Sequence, residues 1–251
     1  MNLTGQIPSN FAAMTSCDME YLKDHGPSFV ASVAKAGNNC HVHTVNPSLS
    51  YARLADILKS AFDKLKISEG QRLSLTTSSF DIKGLSSEST RTYYACSRFL
   101  VAADLLNHGC GPLFITDIDC LFMDHVNIPD ADLGLFLRDP LPGTFGWENE
   151  GTRIAAGAVY YAANMELFAR EVANTIEQSP LVWFLDQVAI SRAYQNVKQY
   201  LTIHKYTEDF MDWEFREGTN IWTGKGPRKY DNPIYVGKKD QFTKMFQEAL
   251  L

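Results

Sequence analysis

Short apolar runs alternate with amphipathic stretches along the first 110 residues, and this alternation restricts the fold more than any other feature. NFAAMTSC (10–17) is an apolar run ended by Asp18 and reads as a buried strand. YLKDHGPSFVASVAKAG (21–37) has helical character, with Gly26-Pro27 expected to break or restart it and Gly37 expected as its C-cap. CHVHTV (40–45) alternates like a strand and closes at Asn46-Pro47. SYARLADILKSAFDKLK (50–66) repeats apolar residues at helical spacing, and RLSLTTSSF (72–80) is strand-like. STRTYYACSRFLVAADLLNHG (89–109) is an amphipathic helix with Gly109 after its last turn. Strand–helix–strand order implies the α/β class, with a mainly parallel central sheet and helices on both faces.

The later chain continues the pattern. DLGLFLRD (132–139) and RIAAGAVYYAA (153–163) read as strands. MELFAREVANTIEQ (165–178) and LVWFLDQVAISRAYQ (181–195) read as helices joined at Ser179-Pro180. From 199 onward the sequence predicts short strands, loops and a last helix near 240–250.

PLFITDIDCLFM (112–123) places Asp117 and Asp119 one residue apart at the end of an apolar run. Like charges this close repel unless something cationic sits with them. In an extended chain their side chains share one face. Two carboxylates at a strand end form a hard-oxygen site that suits Mn²⁺ or Mg²⁺, with water and phosphate oxygens completing the shell. The alternative is a strand end reaching solvent. Asp18 also follows a strand, and such sheets bind ligands beyond the carboxyl ends of their strands. Asp18, Asp117 and Asp119 are therefore expected to share one crevice.

Composition limits the function classes. The chain has 251 residues and a net charge of −6, which argues against nucleic-acid binding through a broad basic surface. Its five cysteines, at 17, 40, 96, 110 and 120, form no CxxC pair, which favours free thiols in a reducing cytoplasm. Cys17, Cys96 and Cys120 lie in apolar stretches and read as small core residues. MNLTGQIPSN lacks the pattern of a signal peptide, and no run of about 18 apolar residues predicts a membrane span.

Arg98-Phe99 in a helix, the strand FITDID (114–119), the small-residue strand AAGAV (155–159) and the pair Asp186-Gln187 follow one another in this order. In this order and approximate spacing, over residues 10 to 230, the chain resembles nucleotide-sugar glycosyltransferases of the GT-A fold, closest to the glycogenin and bacterial galactosyltransferase-like group. The resemblance implies a single domain over 1–251. Its nucleotide-binding half would be 10–123, and its acceptor-side half 124–251 would carry a C-terminal diphosphate loop. It implies a donor that is a nucleotide sugar, UDP being the group's commonest base, a sugar, lipid or protein acceptor, and retention of anomeric configuration. It implies Asp117 and Asp119 as ligands of Mn²⁺ or Mg²⁺.

One departure from the group concerns its late loop, His-x-x-Gly-x-x-Lys. The matching stretch is NIWTGKGPRK, with Trp222 in the place of the histidine while Gly224 and Lys225 remain. His204, on a nearby strand-like segment, is a candidate substitute ligand, the alternative being a core or satisfied polar histidine. The loop's two glycines with Lys225, Arg228 and Lys229 suit a diphosphate, and Gly224, Lys225 and Lys229 are the candidate contacts. The loop is expected to be mobile and to close when the donor binds.

Other roles keep two readings each. Asp18 is a contact to base or ribose, or a simple strand-end cap. Arg98 pairs with a metal-binding carboxylate or touches the sugar, or lies on a solvated face. Tyr94, or Tyr93, stacks on the base, or belongs to the core. Asp186 and Gln187 lie near the sugar, or Asp186 is a helix-start acid favoured by the dipole. Arg98, Asp186 and Gln187 are the catalytic candidates, and Glu148, Glu150 and Asp186 are the possible bases. Gly157 suggests close approach of a ligand or a neighbouring element. Haloacid dehalogenase-like phosphatases carry a similar strand near the N-terminus followed by a hydroxyl residue, whereas here Leu121 follows. A nucleotide-sugar-binding module without turnover is the second functional reading.

Overall fold

The apolar runs assemble into one mixed eight-stranded sheet in a computed structural model that describes residues 3–138, 153–224 and 226–251. β2 (Ala12–Asp18), β3 (Cys40–Val45), β4 (Leu73–Ser78) and β5 (Leu113–Ile115) run parallel, with β5 beside β2 and β4 beside β3. β1 (Thr4–Gly5) closes one edge antiparallel to β4. On the other side β8 (Arg153–Tyr161) lies antiparallel to β5, and β7 (Leu133–Arg138) lies antiparallel to β8. β9 (Ile203–Lys205) forms the second edge, parallel to β7. A separate three-stranded sheet holds β10 (Met211–Asp212), β11 (Ile221–Thr223) and β6 (Cys120–Phe122).

Helices cover both faces, as the alternation predicts. α1 (Met19–Lys35), α2 (Tyr51–Leu65) and α7 (Pro233–Ala249) pack one core, through residues such as Phe29, Phe62 and Phe246. α3 (Ser87–Asn107), α4 (Glu166–Glu177) and α5 (Leu185–Val197) pack the other, through Phe99, Phe168 and Ile190. A short α6 (Arg228–Asp231) precedes α7. All five cysteines are buried and none is bonded to another. Among the described residues no helix is long and apolar enough to cross a membrane.

Several local expectations change. α1 runs unbroken through Pro27. The proline removes one helical hydrogen bond, at a cost of about 3 kcal/mol. Burial of Leu22, Phe29, Val30 and Val33 along the same helix outweighs that loss. The helix ends as expected, with Gly37 at φ +80° and its N–H donating to the Ala34 carbonyl. CHVHTV is buried on both faces rather than alternating. It accommodates its histidines by hydrogen bonding across to β4. His41 meets Ser74 and Thr76, and His43 meets Thr76 and Ser78, at 2.7–3.1 Å. α5 starts only at Leu185, after Phe184 at φ 73°. α7 starts at Pro233 rather than near 240, because Asn232 caps it by accepting from the Ile234 and Tyr235 N–H groups.

The aspartate pair is also placed differently. β5 stops at Ile115, and the Cys120 N–H donates to the Asp117 carbonyl at 3.1 Å, closing a turn. Asp117 and Asp119 therefore sit on a turn, not on an extended strand. The turn exists because β6 leaves the large sheet to pair antiparallel with β11.

Candidate functional site

Beyond the carboxyl ends of β2 and β5 lies a cavity of about 420 Å³. It collects Asp18, Tyr94, Arg98, Asp117, Asp119, Gly157, Asp186, Gln187 and Lys229, from segments far apart in the chain. Arg91, Tyr94 and Arg98, spaced by three and four on α3, all face it.

Arg98 is the hub of its floor. The side chain is 6 % exposed and lies between two carboxylates. Nη1 donates to Asp117 Oδ1, and Nη2 donates to Asp186 Oδ2 at 2.8 Å. Burial alone would lower the Arg98 pKa, but the charges of Asp117 and Asp186 hold it above its ordinary value. Burial also raises Asp186 above the usual carboxylate range, a rise that Arg98 opposes. Asp186 Oδ1 accepts from the Gln187 N–H at 2.8 Å, so both of its oxygens are engaged. The other Asp117 oxygen rests against Gly157, where a Cβ would come within 2.8 Å of Oδ2. Gly157 thus admits a neighbouring side chain, one of the two readings its sequence allows.

Asp119 has its own cation. Lys229 Nζ donates to Asp119 Oδ2 at 2.8 Å and to the Tyr21 hydroxyl at 3.1 Å. Both side chains of the ion pair are largely buried, 11 % and 13 % exposed. Burial would lower the Lys229 pKa, but the charge and hydrogen bond of Asp119 hold it above the ordinary lysine value. The Tyr235 hydroxyl donates to the Asp119 carbonyl at 2.5 Å and fixes the turn from α7. The repulsion between the two aspartates is therefore relieved, in this structure, by two protein cations.

Asp18 caps α1, its Oδ1 accepting from the Glu20 and Tyr21 N–H groups at 2.8 Å, while it also lines the cavity. The cap is a helix N-cap rather than a simple strand end, and among the described residues it uses Oδ1, which leaves Oδ2 for the cavity. Tyr94 lines the cavity, whereas Tyr93 is buried and stacks on Phe80 at 3.4 Å between centroids.

His204 is not brought to the site. It lies exposed on edge strand β9, beside Gly134 of β7, with its ring against Tyr206. The late loop enters in a shifted register. Thr223, Gly226 and Lys229 line the cavity, at the spacing of the His-x-x-Gly-x-x-Lys pattern. Trp222 points away because neighbouring strand residues face opposite sides. It is buried, and its Nε1–H donates to the Arg216 carbonyl at 2.8 Å. Gly224 is absent from the lining and instead permits close packing, since a Cβ would lie 2.6 Å from Lys229 Cβ and 2.8 Å from the Tyr235 ring. Arg228 turns to Glu214 at 2.5 Å. The segment expected to move is partly helical and anchored by these contacts. Lys225, Glu148 and Glu150 lie outside the described residues.

Sequence reasoning missed Arg138, Arg153, Trp183 and Trp213, which also line the cavity. Arg153 Nε donates to Gln187 Oε1 at 3.2 Å. The signal was present in the strand ends of LGLFLR and RIAAG, which each carry an arginine where a core strand meets the crevice.

The metal-ligating set is small. Among the described residues no group of three His, Cys, Asp or Glu side chains could hold a metal ion. Asp117 and Asp119 are two carboxylates in one cavity, enough for a hard cation whose remaining ligands are phosphate oxygens and water, provided Lys229 releases Asp119. No model of a known protein family matches the chain, and no curated protein matches it.

Proposed function

We propose that the chain is a glycosyltransferase that takes a sugar from a nucleotide-sugar donor, with UDP the first base to test. The observation that carries this reading is the convergence of Asp18, Tyr94, Asp117, Asp119, Asp186 and Lys229 in one cavity beyond the strand ends. In the reading, Asp18 and Tyr94 take the nucleoside, and Lys229 takes the diphosphate. Asp117 and Asp119 would hold Mn²⁺ or Mg²⁺, which when bound supplies positive charge against the leaving diphosphate.

The protein's own groups do the rest. Lys229 leaves Asp119 for the phosphates, so one ammonium neutralises either an empty site or a charged donor. Arg98 keeps Asp117 aimed into the cavity, and Asp186 keeps Arg98 in place. With both Asp186 oxygens engaged, its role is to hold Arg98 rather than to take a proton from the acceptor. Gln187 offers its amide N–H groups to sugar hydroxyls.

A second reading, a nucleotide-sugar-binding module without turnover, is favoured by one observation. Lys229 already satisfies Asp119, so the acidic turn is stable without a metal. Isothermal titration with UDP, with and without Mn²⁺, followed by a UDP-sugar turnover assay separates the readings. The transferase reading expects Mn²⁺-strengthened UDP binding and sugar release. Binding without turnover supports the module, and no binding of UDP, GDP, ADP or CMP rejects both.

A further inference from the structure

Two cations of the cavity are given no role in the donor-binding reading. Arg138, at the end of β7, and Arg153, at the start of β8, are cross-strand partners, and both line the cavity. Like charges placed opposite one another on neighbouring strands repel. Arg153 is 8 % exposed as a residue, and its terminal nitrogens are not among the buried unpartnered atoms, so they open into the cavity. Burial, and then the charge of Arg138, push its pKa below the ordinary arginine value.

Among the described residues, no carboxylate forms an ion pair with either arginine. The acids of the cavity are committed elsewhere. Asp117 and Asp186 hold Arg98, Asp119 holds Lys229, and Asp18 caps α1. What the two guanidiniums do have are aromatic faces. Arg138 lies 4.8 Å from the centroid of the Trp213 ring, and Arg153 lies 5.9 Å from that of Phe184. These rings orient the planar forks without cancelling their charge. Among the described residues the Arg153 side chain makes one hydrogen bond, from Nε to Gln187 Oε1, which leaves its terminal nitrogens to donate into the cavity.

Two like charges side by side repel, and an anion between them relieves that repulsion. Two adjacent guanidinium forks match the oxygens of a phosphate or a carboxylate. Their location places that anion away from the diphosphate. Arg153 precedes Gly157, the residue against Asp117, by four positions on β8, roughly 13 Å along the strand. It touches Gln187, a residue with no hydrogen bond to Lys229 among the described residues. Trp183, half exposed on the same wall, offers an apolar face to a sugar ring.

We infer that Arg138 and Arg153 bind the acid group, phosphate or carboxylate, of an anionic saccharide acceptor. The word acceptor rests on the glycosyltransferase reading; the anion subsite does not.

The test is isothermal titration with glucose, glucose 6-phosphate and glucuronate, each with and without saturating UDP and Mn²⁺. At least one acid sugar should bind tenfold or more tightly than glucose, and which one does so separates phosphate from carboxylate. Arg138→Gln, at a half-buried position, should abolish that advantage while UDP affinity stays within twofold. Arg153→Gln should do the same, with its fold checked by circular dichroism. No advantage of either acid sugar over glucose in the wild type would overturn the subsite. So would an Arg138→Gln variant that keeps the full advantage. If UDP fails to bind while an acid sugar binds through Arg138, the UDP-donor reading falls and the anion subsite stands. If UDP binds, a UDP-sugar is turned over and no acid sugar is preferred to glucose, the subsite alone is wrong.

Discussion

Lys229 Nζ stands 2.8 Å from Asp119 Oδ2, the position that the proposed function assigns to a divalent cation. Removing the ammonium leaves a buried, uncompensated negative charge. Lys229→Met should lower unfolding stability by about 3–5 kcal/mol in urea titrations. Pairing it with Asp119→Asn should restore most of the loss. Mn²⁺ should raise the Tm of Lys229→Met more than that of the wild type, because the freed Asp119 then has a use for it. An equal response to Mn²⁺ in both proteins would separate the ion pair from any metal role.

Arg98 spans two carboxylates with two different nitrogens. A lysine at this position is a single point charge and cannot satisfy both. Arg98→Lys should therefore fail to rescue, giving a Tm close to that of Arg98→Met. If Arg98→Lys retained wild-type Tm, the bridging geometry would be dispensable.

Gly157 is open to a direct steric test. A methyl group there would press on Asp117 Oδ2, 2.8 Å from the ideal Cβ position. The Asp117 side chain is partly exposed and can yield, so the fold should survive Gly157→Ala. Mn²⁺-dependent UDP affinity should fall about tenfold, a change near 1.4 kcal/mol, read by titration calorimetry.

Acid should destabilise the protein through its buried imidazoles. Burial holds His41 and His43 at about 3, below the ordinary histidine value of 6.5. The unfolded chain takes up protons from about pH 6.5 downward, and the folded one does so only near 3. Stability is thus fully present above about 6.5 and declines as pH falls through the window to 3, by up to about 1.4 kcal/mol per pH unit for each imidazole. Denaturant midpoints measured from pH 7 to 4 should fall accordingly. His43→Gln should flatten the slope, and an unchanged slope would assign the acid sensitivity to other groups.

Much of the architecture was legible because apolar runs must be buried whatever their neighbours do. β2 to β5 and α1 to α3 lie close to where periodicity puts them. Pro27 misled because propensity is local and the packing of α1 is not. The aspartate turn misled for a similar reason: only the pairing of β6 with β11, about a hundred residues away, makes the chain bend at 117–120. Asp18 was legible as a site candidate because it ends an apolar strand, Lys229 because it belongs to a basic loop with two glycines, and Arg98 and Asp186 through the order of motifs they share with the resembled group. His204 was not separable from them by composition, since its exposure depends on β9 being an edge strand. Arg138 and Arg153 escaped notice because their proximity is a matter of register, which single strands do not reveal.

The pairing of Asp119 with Lys229 also sets an order of events on the ribosome. At about 5–20 residues per second, the 110 residues between them take roughly 5–20 s to synthesise. Throughout that interval the nascent acidic turn is without its ammonium and without β11, the partner of β6. The first four parallel strands can collapse early, but the acidic turn acquires its counter-charge only once Lys229 has emerged. Codon changes that slow or hasten translation between the two positions would alter how long that unfinished surface meets chaperones.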